Sequence, residues 1–79
     1  MPYERITVEC YSGHRANERP VAFTFEGIRR TVQEVVDRWY EGGREPGSPE
    51  TAYFKVLAAD GRVFIIRYQS LFDAWSLLL

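Results

Sequence analysis

The sequence predicts an all-β domain: a single small antiparallel sheet bent into an SH3-like roll or barrel of five or six strands. Three observations lead there. Apolar and polar residues alternate with period two over 5–11 and again over 21–25. An Asp60-Gly61 pair separates two β-rich runs, AYFKVLAA and RVFIIRY. Finally, five Phe, five Tyr and two Trp in 79 residues can fill one compact core, each fully buried ring contributing about 1.5–3 kcal/mol.

The elements follow in order. Along Arg5-Ile6-Thr7-Val8-Glu9-Cys10-Tyr11, the residues Ile6, Val8 and Cys10 share one face, which marks a half-buried strand. Residues 12–19 hold Gly, Asn and charged groups and form a loop, closed by Pro20 at the start of a second strand. There Val21, Phe23 and Phe25 face inward as far as a Glu26-Gly27 turn. The segment after it admits two readings. Ile28, Val32, Val35, Val36 and Trp39 fit helical spacing, and Thr31 with Glu34 resembles a capping box, which would make an α+β domain with a short helix near 31–40. The β-branched and aromatic content favours a long strand with a bulge near Glu34-Val35, which moves the inward parity from even to odd and turns Trp39 inward and Tyr40 outward.

GGREPGSPE, residues 42–50, is a loop. The Asp60-Gly61 hairpin is expected to have a type I′ turn that pairs Leu57 with Phe64 and Lys55 with Ile66. Residues 69–73 turn the chain, and Trp75, Leu77 and Leu79 alternate in a last strand. Residues 1–79 thus make one domain, too short for two full sheets.

The totals exclude several classes. One cysteine allows no internal disulfide and no multi-cysteine zinc site. No stretch approaches the roughly 20 apolar residues that a spanning helix needs, and Met1 to Arg5 do not open a signal peptide, so the chain reads as cytoplasmic with no membrane partner. Ten basic and eleven acidic residues nearly cancel, so any anion-binding surface must be local. The balance shifts along the chain: residues 31–50 carry two arginines against five acids.

The strings YSG-x-x-ANERP, DRWY and YFKVLA-x-DG, followed by a C-terminal tryptophan, resemble a family of short bacterial proteins of unknown function. A looser likeness, RP-x-x-F…DG…W, is to the small C-terminal module of translesion-polymerase-like subunits. The resemblance implies a bacterial cytoplasmic protein and carries no catalytic residue over.

No constellation of residues points to catalysis. Cys10 lies four residues before the only histidine, His14, but its parity turns it inward, where a thiol behaves as a small hydrophobe. Two such ligands do not make a metal site, GGREPG lacks the Gly-Lys-Ser/Thr ending of a phosphate loop, and no cofactor motif is present. What remains is a candidate binding surface of Tyr11, His14, Arg15, Arg19, Arg29, Arg30 and Tyr40, with Arg29 and Arg30 on opposite faces of their strand. Arginines beside exposed rings suit a non-catalytic binding or adaptor module, with protein as the first partner class and single-stranded nucleic acid as the alternative.

Overall fold

The computed structural model describes residues 2–11, 19–43, 45 and 47–79. Six antiparallel strands succeed one another: β1 (Tyr3–Cys10), β2 (Pro20–Phe25), β3 (Ile28–Gly42), β4 (Glu50–Ala58), β5 (Val63–Gln69) and β6 (Ala74–Leu78). Each pairs with the next and β6 returns to β1, closing a barrel. The described residues contain no helix, and 31–40 lie within β3.

The inner faces of β2, β4, β5 and β6 supply Phe23, Phe25, Phe54, Val56, Ala58, Phe64, Ile66 and Leu77 as one buried cluster. Ile6, Val8, Val32, Val35 and Trp75 pack against it, so the alternation read from β1 holds, as it does for Phe23 and Phe25 of β2. Val21, expected inward, sits at a bulge and is only half-buried, outside the cluster. Cys10 pairs with Pro20 across that bulge, which leaves Val21 of β2 unpaired with β1, and is half-buried. Leu79, placed inward by alternation, is exposed.

The two tight hairpins use different turns from those their dipeptides suggest. The type I′ geometry, with positive φ at both central residues, occurs at Glu26 (56°) and Gly27 (73°), between the paired Phe25 and Ile28. At Asp60-Gly61 only Gly61 has positive φ, at 89°. The Gly61 N–H donates to the Ala58 carbonyl and the Ala58 N–H to the Arg62 carbonyl, so the connection is a three-residue loop with glycine in the left-handed position. This corrects the expected register by one residue: Val56 faces Phe64 and Phe54 faces Ile66. The physical reason is the pleat. Opposite residues share a face, and the two-residue loop would have put Lys55 beside the buried Ile66, whereas the longer loop sets four apolar side chains on the inner face together.

Glu26 carries the left-handed conformation with a side chain that disfavours it. Glu26→Asn should therefore raise the unfolding free energy by about 0.5–1 kcal/mol, read from urea denaturation. No gain would mean that the turn is held from outside itself.

β3 is the longest strand and bends. Its first part pairs with β2 up to Thr31 opposite Ala22, and from Val32 it pairs with β4. The register with β4 slips twice, between Val32 and Glu34 and between Val35 and Asp37. The first slip moves the inward position from even to odd, as expected, and the second moves it back. Arg38 consequently lies opposite the inward-facing Phe54, while Trp39 lies opposite Tyr53 on the outer face, which corrects the expected inward Trp39. Tyr40, expected outward, shares the inner face with Arg38, opposite Ala52, and is nonetheless half exposed because it lies near the end of the strand.

Candidate interaction surface

The meander divides the connections between two ends of the barrel. The β2–β3 and β4–β5 turns share one end, and the β1–β2, β3–β4 and β5–β6 connections share the other. We term these the turn end and the loop end.

At the turn end Arg30 joins the two hairpins. Its guanidinium donates to the Asp60 carboxylate at 2.6 Å, while its centre stands 5.9 Å from the Phe25 ring centroid and 5.3 Å from that of Phe64. With its side chain only 9% exposed, Arg30 is part of the packing. Asp60 also accepts from the Arg62 N–H, and these two bonds, that to Arg62 first, hold its carboxyl below its ordinary pKa. Arg29 projects to the outer face and makes a two-pronged ion pair with Glu9 across β2, at 2.7 and 3.0 Å. That pairing pushes the Glu9 carboxyl down and the Arg29 guanidinium up.

Of the residues singled out in the sequence, the structure brings Tyr11 and Arg19 together. The Tyr11 N–H donates to the Arg19 carbonyl at 2.8 Å, and the Arg19 guanidinium lies 5.2 Å from the Tyr11 ring centroid. Tyr40 meets a different cation, Arg38, whose centre is 5.6 Å from its ring and 4.9 Å from that of Phe54. Arg29 and Arg30 are spoken for by acids of their own. His14 and Arg15 lie outside the described residues. Cys10 is a thiol that burial pushes above its ordinary pKa, away from the thiolate a nucleophile requires. No group of three metal-ligating side chains occurs among the described residues.

Two further sets of residues escaped sequence reasoning. On the outer face Trp39 stacks flat on Tyr53, with ring centroids 5.3 Å apart, and Arg67, opposite Tyr53, lies over the Tyr3 ring at 3.5 Å. The Glu41 carboxylate beside Tyr53, and burial, raise the pKa of its phenol. Tyr53 is 9% exposed, so this row seals the outside of the sheet. At the loop end Trp75 contacts Phe54 and Tyr68, with centroids 5.5 and 5.1 Å apart, and the Tyr68 hydroxyl donates to Asp73, which raises its pKa. The turn beside it exposes Leu71 and Phe72.

Among the described residues, a gap opens in the barrel wall where β3 leaves β2. Pairing stops at Ala22 and Thr31, yet β3 continues to Gly42 with β4 alone at its side. A cleft of about 480 Å³ opens there, with Arg19, Pro20 and Val21 on one wall and residues 32–35 on the other. That volume is in the range of small binding clefts, roughly 300–1,000 Å³. Among the described residues nothing pairs with the outer edge of 32–42, so alternate backbone N–H and C=O groups face outward.

Comparison with protein-family models, with curated proteins and with solved structures finds no match in any of the three.

Proposed function

We propose that this protein is a non-catalytic, cytoplasmic binding module that captures a protein partner by adding an extended segment of it to β3. The observation that carries this reading is the edge of β3 beyond Thr31, which is unpaired among the described residues and lies beside an open cleft. An edge of that length gives main-chain hydrogen bonds to an incoming strand, and alternate side chains at its pleat choose the partner. Exposed Val36 and Tyr40 add apolar contact on β3 itself. The absence of any disulfide partner for Cys10 suits a reducing compartment.

Single-stranded nucleic acid is the second reading, favoured by the Arg19–Tyr11 and Arg38–Tyr40 pairs. It is weaker on charge, since Arg29 and Arg30 are engaged and β3 carries Glu34, Asp37 and Glu41. The discriminating experiment is backbone amide exchange over 32–42 in the presence of peptides selected on the barrel from a random display library. Peptides that bind should slow exchange in 32–42. If selected peptides leave those amides unchanged, while mixed RNA and DNA oligomers bind at low salt and are released as salt rises, the protein-binding reading fails in favour of nucleic acid.

A further inference from the structure

Resting on the strand-addition reading, we infer that the segment β3 accepts is basic, with Lys or Arg alternating with apolar residues. The inference comes from what the two bulges do to the acids of β3. In a regular strand Glu34 and Asp37 would point to opposite faces. The slip between Val35 and Asp37 instead sets both on the outer face, opposite Leu57 and Lys55, and Glu41 joins them there, opposite Thr51. All three are exposed and none makes an ion pair among the described residues. Lys55, across from Asp37, is the nearest cation on that face by register. The inner face of the same stretch presents Val32, Val35, Arg38 and Tyr40, of which Val32 and Val35 already pack on the core.

A strand laid along this edge would continue both faces. One set of its side chains lies beside Glu34, Asp37 and Glu41, and the alternate set lies beside Val32, Val35 and Tyr40 and enters the cleft next to Val21. A cationic and apolar alternation satisfies both. Arg19 on the far wall of the cleft sets the limit: the residue that reaches it must not be a cation. A second copy of β3 is the wrong occupant. Antiparallel pairing of two such edges continues outer face with outer face, and sets three acids beside three acids.

The test uses three labelled nine-residue peptides titrated by fluorescence anisotropy. One alternates lysine with valine and tyrosine, and the others replace every lysine with serine or with glutamate. The lysine peptide should bind about tenfold tighter than the serine peptide, as expected of three exposed ion pairs. The glutamate peptide should bind weakest, and the lysine advantage should shrink as salt rises. In the variant Glu34→Lys/Asp37→Lys/Glu41→Lys, whose changes all lie on the exposed face, the order should reverse. Amide exchange over 32–42 separates charge selection from strand addition. If the peptides protect β3 but the serine or glutamate peptide binds as tightly as the lysine one, the charge inference is wrong and strand addition stands. If none of the three protects β3, both fall. The titrations and the amide exchange on the wild type distinguish these outcomes together, so the test holds even where the triple variant does not fold.

Discussion

Phe64→Ala should lower the unfolding free energy by about 3–5 kcal/mol, the largest single effect we expect in this barrel. Phe64 is 6% exposed on the inner face of β5, and three parts of the chain converge on it. Phe23 meets it edge-on at 5.1 Å and Phe25 at 6.2 Å, while Arg30 and Arg62 stand over it at 5.3 and 4.8 Å. Truncation leaves a cavity that β2, β3 and the β4–β5 turn all border, with little freedom to collapse because Phe23, Phe25, Arg30 and Arg62, which line it, are fixed on paired strands and a tight turn. Domains are stable by about 5–15 kcal/mol, and one this small loses roughly 4–8 °C of melting midpoint for each kcal/mol. The variant should therefore melt at least about 12 °C lower. Phe64→Leu, which keeps most of the volume, should cost less than about 1.5 kcal/mol. An alanine variant within about 1 kcal/mol of the wild type would show that the barrel does not close around this ring.

Phe64 also shows where local sequence signals stop. That Phe64 lies in a strand follows from the β-rich run around it. Its partner does not. Asp-Gly supports both a two-residue and a three-residue connection, and the choice rests on which register buries four apolar side chains together, a property of two strands at once. The segment 28–40 is a sharper case. Two bulges three residues apart put Val32, Val35 and Arg38 on one face, a spacing of three that imitates a helix. One bulge was legible from the change of apolar parity. The second was not, since its inward residue is an arginine lying over Phe54 and carries no hydrophobic mark.

The candidate surface was less legible than the fold, for the same reason. Exposed arginines and rings can be counted along a chain, but whether an arginine is free depends on a partner far away in sequence. Glu9 takes Arg29 from twenty positions off, and Asp60 takes Arg30 from thirty. Tyr40 and Tyr11 are exposed as read, each beside an arginine. The open edge of β3 leaves no trace in composition at all. It arises because β3 is fifteen residues long and β2 only six, so that β2 ends at Pro20 while β3 continues beyond Thr31. The acids on that edge were visible as a local excess, yet only the bulges place them on one side.

Arg30→Ala should cost about 2–3 kcal/mol, the second large effect, and Arg30→Met about half of that. Methionine keeps an apolar stem against Phe25 and Phe64 and gives up the bond to Asp60 that ties the two turns together. The loss is bounded because Asp60 is itself partly exposed and takes up water when its partner goes. Acid separates the packing share from the ionic share. Asp60 has its pKa lowered in the folded state, first by the Arg62 N–H and then by Arg30. A depressed carboxylate stabilises the fold above its unfolded pKa and loses that contribution as pH falls through the folded value. In the wild type the contribution is therefore complete near neutral pH and fades below the ordinary value of 3.8. In Arg30→Met only the share owed to Arg62 remains to be lost. The stability gap between wild type and Arg30→Met, from urea denaturation near neutral pH and at about pH 3, should accordingly narrow in acid. A gap of the same size at both values would mean that Arg30 holds the turn end by its stem and its contact with the two rings alone, and that the bond to Asp60 contributes nothing.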